Sequence, residues 1–207
     1  MRPLARLHAI TDDAVLADAD VGIRAAAIAA VGPAAALHVR GRNSSAAFLA
    51  KCATRFMALA SPAEAAVIIN ARPDVARAVG AHGVQLGVGD LSTADARIVL
   101  GAGWIGRSVH DVAGARAAIT EGADYLLFGS VFDTDSHPGK AGQGLELLAE
   151  VVALGTPVIA IGGVTPERAQ SVKDTGAWGV AAIRALWHTP DAYAAAMAML
   201  APWSDTA

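Results

Sequence analysis

Eight short apolar runs, each followed by a segment of helical character, recur along this chain and restrict its fold more than any other feature. The runs are Leu7–Thr11, Ala35–Arg40, Val67–Asn70, Gly83–Leu86, Trp104–Ser108, Tyr125–Phe128, the PVIAI at 157–161 and the GVAAI at 179–183. They are apolar throughout rather than alternating, the pattern of strands buried on both faces of a parallel sheet. The segments between them carry helix punctuation. Val21–Val31 is ended by Gly32-Pro33; Asn43-Ser44 cap a helix running to Leu59; Pro73–Val79 follows the third run. Ser92 caps a helix to Leu100, and Asp111–Glu121 follows the fifth run. A helix ends near Leu154, Thr165-Pro166-Glu167 opens the next, and Arg184–Trp187 and Asp191–Leu200 close the chain. Eight units in 207 residues predict a closed (β/α)₈ TIM barrel, a single α/β domain over 1–207. No G-x-G-x-x-G opens the first helix, which argues against an open dinucleotide-binding sheet.

Composition narrows the function classes. Hydrophobic residues make up 54% of the chain, yet no run reaches membrane-spanning length. The start, MRPLARLHAITDD, enters a strand at once without a secretory apolar segment, so a cytoplasmic protein is expected. A net charge of −3 with no basic tract speaks against a nucleic-acid surface. The lone Cys52 forms no internal disulfide and sits in an apolar helical pattern as a core thiol.

In a barrel of this kind function sits at the C-terminal ends of the strands. That rule selects Thr11-Asp12-Asp13, Arg40-Gly41-Arg42, Asn70 with Arg72, Gly87 to Asp90, Ser108 with His110, Gly129 to Lys140, Gly162-Gly163 and Arg184. Paired guanidinium groups at Arg40 and Arg42 suit phosphate oxygens, although the same pair could make surface salt bridges. Asn70 could donate its amide to the same anion, and Asp90 is the carboxylate best placed for a divalent metal. A glycine pair between a buried strand and a helix start, Gly162-Gly163, lets an anion approach the backbone. The following strand with its one-turn helix, Ile183 and Arg184 onward, resembles the phosphate end of such barrels. His38 ends an apolar run and reads as a buried, hydrogen-bonded ring.

The sixth loop, GSVFDTDSHPGKAGQG, is the longest and most polar. Ser130, Thr134, Ser136, His137 and Lys140 give it donors, an imidazole and a cation, as expected of a substrate loop.

Taken together, LHAITDD, HVRGR, the N-x-R-x-D-x-A at Asn70–Ala76, IGRSVH, GADYLLFGSVFDT, PVIAIGGVTPER and GAWGVAAIRAL resemble the thiamine phosphate synthase superfamily, with wording most like its TenI branch. The resemblance implies that Arg40, Arg42, Asn70 and Ser108 contact pyrophosphate, with Arg42 at a position usually lysine. It implies that Gly163 and the Ile183–Arg184 backbone form a thiazole-phosphate cup, that Thr134 lies in the thiazole site, and that Asp90 is one of two magnesium aspartates. Several positions depart from the family pattern. Ala71 replaces the other aspartate, so magnesium is expected to bind weakly and with the substrate's help. His137 stands for a lysine, with Lys140 close by; Gln85 and Val88 change the usual HLGQxD; Arg184 replaces a serine; and Ser130 stands where TenI tautomerases carry their histidine.

The resemblance therefore implies phosphorylated thiazole and pyrimidine ligands, joined by a synthase-type transfer that releases pyrophosphate. The alternatives are a tautomerase using His137 or His110 beside Ser130, or a binder without chemistry. Neither nucleic acid nor membrane is an expected partner, and a homo-oligomer is left open.

Overall fold

The computed structural model describes residues 2–134 and 141–204. In chain order the elements are β1 (Leu7–Ile10), α1 (Asp13–Ala17), α2 (Val21–Ala29), β2 (Ala35–Val39), α3 (Ala46–Ala60), β3 (Ala66–Asn70), α4 (Pro73–Val79), β4 (Gly83–Leu86) and α5 (Thr93–Leu100). They continue as β5 (Trp104–Val109), α6 (Val112–Thr120), β6 (Tyr125–Phe128), α7 (Gly144–Val152), β7 (Val158–Ile161), α8 (Pro166–Asp174), β8 (Gly179–Ala182), α9 (Arg184–Trp187) and α10 (Ala192–Leu200). Each strand pairs in parallel with the next, and β8 returns to β1 with Leu7 opposite Val180, closing the barrel. No helix among the described residues is long and apolar enough to cross a membrane.

The expected strands form, and the differences lie at helix starts. The short α1 was not expected; it is capped by Asp12, whose carboxylate accepts the Val15 N–H at 2.9 Å. The cap of α3 is Ser45, not Asn43-Ser44, because both of those residues are turned back onto Asp13. Thr165 precedes α8 but gives it no side-chain cap; it bonds instead with the Glu167 carboxylate, which it holds below the ordinary range. β2 stops at Val39, one residue short of Arg40.

Alternate residues of each strand face opposite sides. Leu37 and Val39, Val67 and Ile69, and Leu126 and Phe128 join the helix-facing core, where the rings of Phe56 and Trp187 stack 6.0 Å apart. Burying each such side chain contributes about 1.5–3 kcal/mol. The intervening residues fill the barrel: Ala36, Ile68, Tyr125, Ile159 and Ala181 form a second cluster, with Trp104 and Trp178 packed against it. The segment before β1 closes the N-terminal end. Trp104 donates its indole N–H to the Arg2 carbonyl at 3.1 Å, and the Arg6 guanidinium lies 3.6 Å over the Trp178 ring. With that end plugged, the polar rim lies at the strands' other end.

Candidate active site

The rim begins where β1 and β2 end. Thr11 is fully buried; its hydroxyl accepts the Arg40 N–H at 2.8 Å and donates to the His38 carbonyl at 2.9 Å. This lashing fixes the backbone from which Arg40 departs. Asp13, on the first turn of α1, gathers the loop that follows: its carboxylate accepts from the Arg42 N–H at 3.0 Å, the Asn43 N–H at 3.2 Å and the Ser44 hydroxyl at 2.8 Å. Gly41 is required there, because a Cβ would sit 2.4 Å from Ser44 Oγ and 2.8 Å from Asp13 Oδ1.

The two arginines consequently differ. Arg42 is exposed, while Arg40 is half-buried and makes no ion pair among the described residues. Burial lowers the Arg40 pKa, the charge of Arg42 lowers it further, and Asp12 and Asp13 work the other way. Those two carboxylates are already used, one as a cap and one as the loop anchor. A half-buried guanidinium with no direct ion pair among the described residues is suited to binding an anion.

The Asp13 bonds favour its charged form, the Ser44 hydroxyl contributing most, and lower its pKa from the ordinary 3.8. The stabilisation this gives the loop is present above 3.8 and is lost as acid takes the carboxylate down through its lower folded value. In an NMR titration the Asp13 midpoint is expected below 3.8, and Ser44→Ala is expected to raise it. An unmoved midpoint in the variant would remove this anchor from the account.

Asn70 ends β3, half-buried, with its amide oxygen 3.0 Å from His38 Nδ1. His38 is fully buried, as the sequence suggested, and its Nε2 lies 2.8 Å from Nδ1 of His8, also fully buried. Desolvation, with the neighbouring His38 ring at His8 and the Arg40 charge at His38, lowers His8 well below 6.5 and His38 to about 4, so both rings are neutral at neutral pH. Arg72, two residues past Asn70, spends its guanidinium on Asp74 at 2.5 Å and leaves the rim. On the neighbouring strand, in register with Asn70, Gln85 of β4 donates its amide N–H to Ser108 Oγ of β5 at 3.1 Å. Gly106 makes room for this interior: a Cβ there would lie 2.2 Å from the Tyr125 ring and 2.3 Å from Gln85 Oε1.

Asp90 closes its own loop, its Oδ2 accepting the Gly87 N–H at 2.6 Å, which leaves Oδ1 for another partner. No group of three His, Cys, Asp or Glu side chains able to hold a metal occurs among the described residues. Ala71 takes a left-handed φ of 62° and hangs its N–H on the Gln85 carbonyl at 2.9 Å.

The sixth loop folds across the end of β7. Val131 N–H bonds the Ile161 carbonyl at 2.9 Å, Phe132 N–H the Gly162 carbonyl at 3.0 Å, and Gln143 N–H the Ser130 carbonyl at 2.8 Å. His110 is exposed and directs Nδ1–H to the Gly129 carbonyl at 2.5 Å, so that nitrogen is committed to the backbone and does not serve Ser130 as a base. Ser130 is half-buried at the rim, as is Thr134.

Beneath this loop lie Gly162 (φ 98°) and Gly163 (φ 63°). A Cβ on Gly162 would meet Ser130 Cα at 2.5 Å, and one on Gly163 the Asp133 carbonyl oxygen at 2.5 Å. The glycines first admit the protein's own loop, a role the sequence reading had assigned wholly to an anion. The one-turn α9 opens directly after β8, with Ile183 half-buried and the Arg184 side chain exposed. His137 and Lys140 lie outside the described residues.

Most of the predicted residues thus share one end of the barrel. Sequence reasoning missed the layer beneath them, His8 and Gln85, whose only signal was polarity inside otherwise apolar strands.

The chain matches the family model described as thiamine monophosphate synthase over residues 7–186. A thiamine-phosphate synthase of Chromobacterium violaceum is 39% identical over 199 residues, 95% of each chain. One from Nitrosococcus oceani is 38% identical over 195 residues, 93% of this chain and 89% of that protein. The solved thiamine phosphate pyrophosphorylase of Pyrococcus furiosus superposes with a TM-score of 0.83 at 32% identity, covering 97% of this chain and 96% of that one. Shared barrel, shared motifs at its rim and relatives of this likeness over nearly full length lead to one conclusion: the chain belongs to the thiamine monophosphate synthase family.

Proposed function

We propose that this protein is a thiamine phosphate synthase, joining a hydroxymethylpyrimidine diphosphate to a thiazole phosphate. The observation that carries the reading is Arg40, half-buried and without an ion pair among the described residues, following β2 next to Asn70 at the end of the neighbouring β3, in a chain whose relatives bear the synthase name. In the reaction the bond between the pyrimidine's methylene carbon and the diphosphate oxygen breaks, and that oxygen keeps the electron pair. The carbon gains cationic character, the thiazole nitrogen supplies a pair to form the new C–N bond, and pyrophosphate leaves. Arg40, the Asn70 amide and the Ser108 hydroxyl stabilise the charge that grows on the leaving group. Exposed Arg42 adds to the field without a fixed contact. Gly163 and the Ile183–Arg184 backbone receive the thiazole phosphate, with Thr134 at its edge.

Magnesium, when bound, neutralises diphosphate oxygens. Asp90 Oδ1 is the group that would hold it, and a single carboxylate fits an ion completed by substrate oxygens. Among the described residues no base is positioned at Ser130, His110 Nδ1 being committed to the Gly129 carbonyl, which favours the synthase reading over tautomerisation of a thiazole carboxylate phosphate.

Purified protein given both precursors and magnesium is expected to release pyrophosphate and thiamine phosphate in equal amounts. Absence of coupled product would sink the proposal. Ala71→Asp places a carboxylate at a left-handed position that Asp tolerates better than Ala, and should lower the magnesium concentration for half-maximal rate. An unchanged magnesium requirement would exclude that position from the metal site.

A further inference from the structure

Beneath the rim lies a layer of buried polar side chains that the proposed reaction does not use. His8, His38 and Gln85 are all within 1% of complete burial. Each sits on a strand, where polarity is costly unless it is satisfied or useful. Two of them contact a rim residue from the barrel side. His38 is level with Ile68, two residues deeper than Asn70 on β3, and its Nδ1 reaches the oxygen of the Asn70 amide. Gln85 Nε2 reaches Ser108 Oγ.

We infer that His38 and Gln85 are positioning residues: each occupies the acceptor face of a rim side chain, so that Asn70 and Ser108 turn donors toward the bound anion. The inference rests on the anion site proposed above.

The proton inventory makes the claim sharp. Three contacts run in series: Ala5 carbonyl to His8 Nε2 at 3.2 Å, His8 Nδ1 to His38 Nε2 at 2.8 Å, and His38 Nδ1 to Asn70 Oδ1 at 3.0 Å. Two neutral rings carry two protons, so one contact goes without. With Asn70 accepting, His38 must hold its proton on Nδ1 and receive one on Nε2 from His8 Nδ1. The unmet contact is then the one at Ala5, the longest of the three. The competing arrangement turns the amide over; both rings then carry Nε2–H, all three contacts are met, and Asn70 would show its oxygen to the anion. The structure turns Oδ1 of Asn70, not its NH₂, toward His38 Nδ1, which is the first arrangement and leaves the NH₂ without a hydrogen bond among the described residues. At Ser108 the logic is the same: Oγ accepts from Gln85, which frees its own proton, and Gln85 Oε1 is buried without a hydrogen-bond partner among the described residues. Both devices accept an unmet contact inside the barrel, as functional constellations often do.

The ¹⁵N shifts of the imidazoles in the full chain at neutral pH test this directly. A proton on His38 Nδ1 is expected, whether the ring is neutral or charged. A bare Nδ1 with the proton on Nε2 would overturn the inference. In binding measurements with inorganic pyrophosphate, His38→Phe and Gln85→Leu should each raise the dissociation constant about tenfold, the size of one misdirected hydrogen bond to a charged ligand. His38→Gln can still donate to Asn70 and should recover most of the loss, whereas affinity for thiazole phosphate should not move. Loss of both affinities together, with no rescue by His38→Gln, would reduce the layer to a structural role. If Nδ1 carries the proton but Asn70→Ala leaves pyrophosphate affinity unchanged, the anion-site reading fails instead.

Discussion

Arg40→Ala is expected to lower kcat/KM for the diphosphate substrate by about 10²–10³-fold, the usual cost of removing one preorganised group that stabilises transition-state charge. The guanidinium is half-buried, its backbone is lashed to Thr11, and Asp12 and Asp13 act on it through space without a direct ion pair among the described residues. It is thus held in place before any substrate arrives, so little reorganisation remains at the moment of reaction. Stability should respond in the opposite sense. Burial and the Arg42 charge oppose this cation more than Asp12 and Asp13 favour it, so removing it takes away a net cost and the variant should melt no lower than the parent. Arg42→Ala, on an exposed side chain, should cost only several-fold. Steady-state kinetics beside thermal melts separate the cases. A variant that loses stability along with activity, or that retains near-parental kcat/KM, would show that Arg40 is structural.

Gly163→Val is expected to be the most damaging single change at the rim. At φ 63° an L-residue pays roughly 1–2 kcal/mol for the left-handed conformation. The new Cβ would also lie 2.5 Å from the Asp133 carbonyl oxygen and 2.8 Å from Phe132 Cβ. Overpacking of this kind adds about 1–3 kcal/mol. The sum, about 2–5 kcal/mol, corresponds to roughly 4–20 °C in Tm for a chain of this length. The sixth loop should shift off the end of β7, and thiazole-phosphate binding should fall with it. Gly163→Ala shares the φ strain and the clash but adds no further branches, so it should sit between the two. Arg168 provides an internal check: it donates to the Gly163 carbonyl at 2.7 Å and lies 4.8 Å over the Phe132 ring, so its environment should change in the valine variant. A valine variant with parental Tm and parental thiazole-phosphate affinity would refute this account.

The architecture was legible before any coordinates. Eight apolar runs, each followed by a helical segment, admit few parallel arrangements, and the order of the strands around the barrel is their order in the chain. The rim was legible too, because a barrel of this kind puts the residue after each strand at one end. Most of the candidates at Arg40, Asn70, Ser108, Ser130, Gly162 and Gly163 needed nothing more than strand boundaries correct to a residue or two.

What lies beneath the rim was not legible. A strand buried on both faces is apolar at odd and even positions alike, so the period of two that separates inward from outward residues is absent from β2, β3 and β6. Only closure of the barrel decides that His38 faces inward while Leu37 and Val39 meet helices, and only the register of β1 against β2 brings His8, thirty residues earlier, to within 2.8 Å of it. The difference between Arg40 and Arg42 likewise depends on where Asp12 and Asp13 spend their oxygens. The purpose of Gly162-Gly163 depends on which loop folds over them. Local sequence sets the strands and their caps, because those depend on neighbours along the chain. The direction in which a buried amide, hydroxyl or imidazole points is set by partners on the neighbouring strands, distant in sequence, and only the tertiary structure supplies them.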